Sequence, residues 1–279
     1  MRTLENRDTL RVGFVGAGSI AESILGGIIK NEILSPAQIY VTNHQNDQRL
    51  LYLQQRYGVS PTRDLETMVK DSTMLLLAIK PKEAKEVCLR LGKYIRRDQL
   101  IVSVMAGIST KNINEWLGVD CPIIRTMPNT SSSVGLSATG IAAGRYASES
   151  HLEIAAQLFR AIGSVFQVAE ADLHILTGLS GSGPAFIYYM AEAMEQAGVK
   201  AGLPADLSRE LTVQTLLGAA HMLLKAEEEP AELRRKITSP GGTTEAGLAV
   251  LNSYSFQQAM IDAILRAAEK SEELGKLYR

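Results

Sequence analysis

Arg11-Val12-Gly13-Phe14-Val15-Gly16-Ala17-Gly18-Ser19-Ile20-Ala21 reads as a strand, a tight turn and the start of a helix. Gly16, Gly18 and Ala21 stand at the G-x-G-x-x-G/A spacing. Gly16 suits the tight turn, Gly18 lets the backbone approach a pyrophosphate, and Ala21 allows close packing of helix on strand. Ile20, Ile24, Leu25, Ile28 and Ile29 then recur at helical spacing. A chance glycine turn is the plain alternative, but the motif has the strand before it and the helix after it that it requires. The stretch predicts a dinucleotide-binding βα unit, with Gly16, Ala17, Gly18, Ser19 and Ile20 against the phosphates.

About 20 residues after such glycines, an NAD enzyme usually carries an Asp or Glu for the ribose 2′-hydroxyl. Here the second strand, Gln38-Ile39-Tyr40-Val41-Thr42, ends in Asn43 and His44, with Arg49 one turn further on. The missing carboxylate removes repulsion against a 2′-phosphate. NADPH is therefore the expected cofactor, with NADH as the secondary one. Asp47 reads as a first-turn residue of the next helix rather than a displaced ribose ligand.

Outward from the fingerprint, strands are expected at Val12–Val15, Ile39–Val41, Met74–Ala78, Leu100–Val104, Ile123–Thr126 and Val165–Val168. Amphipathic helices fit at Ser19–Lys30, Asp47–Tyr57, Lys82–Lys93, Ser109–Trp116 and Ser150–Ile162. That alternation argues for an α/β fold, a Rossmann-type, doubly wound parallel sheet. From Asp172 onward only helical periodicity is left, with helices expected at Asp172 to Gln196, Pro204 to Lys225 and Glu245 to Tyr278. The expected division is residues 1–169, binding the dinucleotide, and 170–279, all helical. Leu207–Leu224 is apolar nearly all round (Leu211, Val213, Leu216, Leu217, Met222, Leu223), which calls for enclosure by a partner subunit or by a larger helical core.

The composition belongs to an ordinary enzyme. The chain has 279 residues, enough for two domains, and balances 29 Lys+Arg against 30 Asp+Glu. No basic stripe points to nucleic acid or an anionic membrane. The first ten residues lack the apolar core of a signal peptide, and Met74 to Ile79 is far too short to span a bilayer. Two isolated thiols, Cys88 and Cys121, read as buried structural cysteines of a reducing cytoplasm. His151, His174 and His221 show no metal-ligand spacing, and no metal is expected.

A second informative stretch is Ile237-Thr238-Ser239-Pro240-Gly241-Gly242-Thr243-Thr244, running into the helical pattern Glu245–Leu251. Adjacent glycines and hydroxyls at a helix start can hold a small carboxylate through amides and the helix dipole. A Pro-Gly turn with a threonine cap is the plainer reading of these residues alone.

Taken in order and at their spacing, several segments make the chain similar to the pyrroline-5-carboxylate reductases. They are Gly16–Gly18, Leu77-Ala78-Ile79-Lys80-Pro81, Ser103–Gly107, Arg125–Thr130, Gly178–Ala185 and Thr238–Thr244. The resemblance implies NAD(P)H-dependent reduction of a cyclic imine, 1-pyrroline-5-carboxylate, to proline. It places Ala78, Ile79, Lys80 and Pro81, with Met105, Ala106 and Gly107, along the nicotinamide half of the cofactor. It places Ser239, Gly241, Gly242, Thr243 and Thr244 around the substrate carboxylate, Thr244 nearest the ring nitrogen, and Glu170 near the substrate. It also implies homodimers through intertwined helical domains, often grouped into decamers. Relatives often carry Arg where His44 stands, and many have an Asn near Asp64 and Leu65; these departures bear on cofactor preference.

Lys80 reads first as a turn residue with its ammonium in solvent, and second as a proton donor or phosphate contact. Two rival functions share the fold. A β-hydroxyacid dehydrogenase or related imine reductase typically has a catalytic lysine on the interdomain helix, whereas Leu179 to Gln196 contains none. A non-catalytic dinucleotide-binding regulator has no need of an intact Ser239–Thr244 loop.

Overall fold

The computed structural model describes residues 9–277. Its eight strands are β1 (Val12–Val15), β2 (Ile39–Thr42), β3 (Ser60–Pro61), β4 (Met74–Leu77), β5 (Leu100–Ser103), β6 (Ile123–Met127), β7 (Ser137–Ala143) and β8 (Gly163–Gln167). They form one sheet in the order β3-β2-β1-β4-β5-β6-β7-β8. The first six are parallel, and β1 lies between β2 and β4. Helices α1 (Ser19–Lys30), α2 (Asp47–Tyr57), α3 (Leu65–Asp71), α4 (Ala84–Leu91), α5 (Thr110–Leu117) and α6 (Glu149–Arg160) connect and cover the strands.

Both faces of the sheet are covered, so its central strands are continuous apolar runs. Alternation along β1 and β4 sends Val12, Phe14, Met74 and Leu76 to one core, with Ile24, Leu25 and Ile28 of α1 and Phe159 of α6. Val15, Leu75 and Leu77 enter the other, with Leu91 of α4 and Ile113 of α5. Each such side chain contributes about 1.5–3 kcal/mol on burial. Both cysteines lie in the second core, as the structural reading expected. Burial pushes the Cys88 thiol up to about 12 and the Cys121 thiol up to about 11, so neither is a thiolate nucleophile.

The structure corrects the expectation of an all-parallel sheet. β7 runs antiparallel to β6, and β8 pairs parallel with β7. The sequence conceals β7 because, apart from Thr139 and Ile141, Ser137-Ala138-Thr139-Gly140-Ile141-Ala142-Ala143 is made of Ser, Ala and Gly, which carry little strand preference. They are small for a packing reason: a Cβ on Gly140 would lie 2.6 Å from Leu176 Cδ1. The short β3 and α3 were not expected either.

The helix expected from Asp172 to Gln196 is broken into α7 (Leu173–Leu176), a π turn at Thr177–Gly181 and α8 (Gly183–Lys200). The π turn is closed by Ser182 N–H donating to Thr177 O at 2.8 Å. Next come α9 (Ala205–Lys225), which was expected, and α10 (Pro230–Lys236), which was not. The final expected helix is two, α11 (Thr243–Ser253) and α12 (Phe256–Lys276), parted at Ser255 with φ +51°. The expected end at Tyr278 lies outside the described residues.

The described residues divide into two compact units, one comprising residues 9–182 and 266–277, the other Gly183–Leu265. Residues 170–182 stay with the sheet because Leu173 is fully buried and Leu176 lies over Gly140. The end of α12 belongs there too: Ser271 Oγ and His174 Nδ1 are hydrogen-bonded at 3.0 Å. In the other unit α9 buries Ser208 and Thr212, while Leu211, Val213, Leu217 and Leu223 are exposed.

Candidate active site

Gly16 ends β1 in a backbone conformation closed to other residues. Its φ is +112°, and a Cβ there would sit 2.3 Å from Ala78 O. Its N–H donates to Thr42 O at 2.9 Å, and Ala78 N–H donates to Val15 O at 2.8 Å. The ends of β1, β2 and β4 thus converge on one glycine, which brings the fingerprint, Asn43 and Ala78 to the carboxyl ends of neighbouring strands. Gly18 is the N-cap of α1 without a side-chain cap, and a Cβ there would meet nothing within 4 Å. Open approach and an uncapped helix start, in which the first-turn amides and the dipole face a ligand, are what a pyrophosphate requires. Gly18 and Ser19 are exposed, while Ala17 and half-buried Ile20 support the turn from the core. The residues present fit a dinucleotide.

On the nicotinamide side, Ala78 and Ile79 are half-buried at the strand end. Lys80 is exposed and precedes a 3-10 turn whose first residue is Pro81, which accords with the turn-forming reading. Gly107, with φ +77°, closes the loop after β5, and Ala106 is half-buried beside it. Met105 departs from expectation. It is 1% exposed in the second core, and Ala106 is the part-exposed residue of this loop.

At the adenosine end, Asn43 and Arg49 are both engaged within the protein. Asn43 turns its side chain back on its own loop, Nδ2 donating to Asn46 O at 2.7 Å and Oδ1 accepting from Asn46 N–H at 2.9 Å. Asn43 is half-buried, whereas His44 is exposed. Arg49 is engaged: Nε donates to Ala17 O at 2.8 Å, and its guanidinium is paired with Glu22. The cation that does border this loop is Arg63, which local reasoning missed. It donates from Nη1 to Asn43 O and pairs with Asp47, a first-turn residue of α2 as expected. Arg63 arrives because Thr62 N–H bonds Val41 O at 3.0 Å, extending β3 alongside β2. A ladder two residues long leaves no periodicity to read.

Glu170 is brought into a different cluster. Thr110 N–H donates to Oε1 and Thr110 Oγ1 to Oε2, both at 2.7 Å, and Arg125 Nη1 lies 3.4 Å from Oε1. Arg125 is only 4% exposed, and burial holds its pKa below the ordinary value while Glu170 opposes that shift. Both carboxylate oxygens are engaged, so Glu170 fastens the start of α5 to β6. Its carboxylate faces Thr110 and Arg125 in this arrangement.

In the helical unit, Ser239–Thr244 bridges α10 and α11. Gly241 has φ +72°, Gly242 is the N-cap of α11, and Gly242 N–H donates to Ser239 O at 3.0 Å. Ser239 and Thr243 are exposed and Thr244 is half-buried. Gly241 N–H donates to the carboxylate of Glu245 at 2.7 Å, so the loop already holds a carboxylate on an amide.

A pyrroline-5-carboxylate reductase of Bacillus subtilis is 42% identical to this chain over 96% of both chains, and one of Glycine max is 39% identical over 96% of this chain and 97% of its own. The chain belongs to the pyrroline-5-carboxylate reductase family. The family's dimerisation model matches residues 170–274, and an NADP oxidoreductase, coenzyme F420-dependent, model matches residues 11–107. A pyrroline-5-carboxylate reductase structure from Coxiella burnetii superposes with a TM-score of 0.87 at 36% identity, covering 95% of this chain and 98% of that one. A Plasmodium falciparum pyrroline carboxylate reductase, solved with NADP bound, superposes with a TM-score of 0.86 at 27% identity, covering 98% and 99%.

Proposed function

We propose that the chain reduces 1-pyrroline-5-carboxylate to proline with NADPH, accepting NADH less well. The observation that carries this reading, beside family membership, is the Ser239–Thr244 loop, whose Gly241 amide holds a carboxylate at a helix start. A substrate carboxylate takes the Gly241 amide in place of Glu245, beside Gly242, with the amide of Thr243 and the hydroxyls of Ser239, Thr243 and Thr244. Gly16–Ile20 would hold the pyrophosphate, and Ala78–Pro81 with the Met105–Gly107 loop would hold the nicotinamide, which when bound would supply the hydride.

The protein's task is then to position two reactants, which can lower a barrier by about 7–11 kcal/mol. The protonated imine is the better hydride acceptor. Thr244 Oγ1 hydrogen-bonds its nitrogen or relays a proton from water, and no strong acid is needed. Glu170, engaged with Thr110 and Arg125, acts on that framework rather than on the imine.

Assembly follows from the exposed apolar side chains of α9, which match the family's dimerisation segment. A homodimer through the helical unit covers them, with decamers as the larger form. No described helix is long and apolar enough to cross a membrane.

The test is NADPH and NADH oxidation with pyrroline-5-carboxylate, beside the six-membered imine and a small 2-keto acid. Turnover of the five-membered imine alone is expected. Turnover of the six-membered imine alone would move the function to another imine reductase, and NADPH binding without turnover would favour a regulator.

A further inference from the structure

In a Rossmann crevice the adenosine ribose lies beyond the end of the second strand. Around that point, the side chain of Asn43 is turned onto Asn46 and Arg49 is held by Glu22 and Ala17 O. Arg63 is placed otherwise. Nη1 is anchored on Asn43 O, and Nη2 faces Asp47, whose side chain is 86% exposed. These two contacts leave donors of its five-N–H fork over, and an ion pair this exposed is weak. We propose that Arg63 is the specificity-determining cation for the cofactor's 2′-phosphate, and that Asp47 is the counter-ion the phosphate displaces. The inference rests on the NADPH reading above.

The anchor on Asn43 O fixes the guanidinium at the mouth of the crevice. The fork suits a phosphate better than a carboxylate, because a dianion brings more charge and three acceptor oxygens to a planar set of donors. Asp47 keeps Arg63 in place when no phosphate is bound, and it opposes a phosphate that arrives. Neither residue is seen as a pair from sequence, since β3 brings them together across the end of β2.

Calorimetry on the full-length protein tests this with two probes, adenosine 2′,5′-bisphosphate and 5′-AMP. Wild type should bind the bisphosphate more tightly. Arg63→Ala should weaken the bisphosphate by about tenfold or more, the size of a lost charge-assisted hydrogen bond, and leave 5′-AMP nearly unchanged. Arg63→Lys should fall between the two. Asp47→Asn, which keeps Arg63, should tighten the bisphosphate severalfold. Discrimination by wild type that survives Arg63→Ala would overturn the assignment and leave the NADPH reading standing. Equal binding of both probes by wild type would overturn the NADPH reading and the proposal with it. No tightening in Asp47→Asn would overturn the displacement.

Discussion

Gly275 of α12 lies against Gly107 at the end of β5, so closely that a Cβ on Gly275 would fall 2.7 Å from Gly107 O. The last turns of α12 therefore back the Met105–Gly107 loop, which the proposed function sets beside the nicotinamide. Gly275→Ala must push either the helix or the Met105–Gly107 loop aside, since both obstacles are backbone. The expected outcome is a severalfold rise in KM for NADPH together with a lower Tm. Steady-state kinetics and thermal unfolding check it, and an unchanged KM would detach the helix from the cofactor loop.

The Arg125–Glu170 pair gives a stability prediction. Glu170→Gln leaves the Arg125 charge buried without compensation, which typically costs about 3–5 kcal/mol. Urea unfolding of Glu170→Gln should show a loss of that order, and Arg125→Leu in the same background should recover part of it. Were Glu170 instead to act on substrate, kcat would fall steeply with stability intact.

Glu22 sets an acid limb on stability. Burial raises its pKa, but hydrogen bonds from Arg49, Tyr57 and Tyr52 outweigh burial and hold it below the ordinary 4.5. A carboxylate depressed in the folded state contributes stability that is present above the unfolded value and is lost as pH falls through the folded one. Glu22→Gln should therefore lower Tm near neutral pH and flatten the loss of Tm below pH 4.5. Parallel Tm–pH curves for the two proteins would contradict this.

Thr244 is the residue whose loss should touch chemistry. Thr244→Ala should lower kcat/KM for the imine by roughly one to two decades, the size of a transition-state hydrogen bond. NADPH binding, measured by fluorescence, should be unaffected. An unchanged kcat/KM would remove Thr244 from the mechanism.

Much of the framework was legible because short-range physics wrote it. The limits of β1, α1 and α2 follow from apolar spacing and the flanking glycines, and Gly16 is glycine because the strand ends meet there. The adenosine end was legible only in part. Asn43, His44 and Arg49 follow the fingerprint in sequence, but which of them is available depends on partners such as Asn46 and Glu22. The break at Ser255 left no mark because Tyr254 and Ser255 carry neither glycine nor proline.

The sequence by itself determined the βα dinucleotide unit, the switch to helices after the sheet, and the glycine turn that starts α11. Each depends on residues within a few turns of one another, where spacing and conformational preference act directly. Only the tertiary structure decided that β7 runs antiparallel, that Glu170 faces Thr110 and Arg125, and that Arg63 stands beside Asn43 and Asp47. Those outcomes depend on which distant backbones pair and how closely they approach, which is settled by burial and hydrogen-bond satisfaction across the whole sheet.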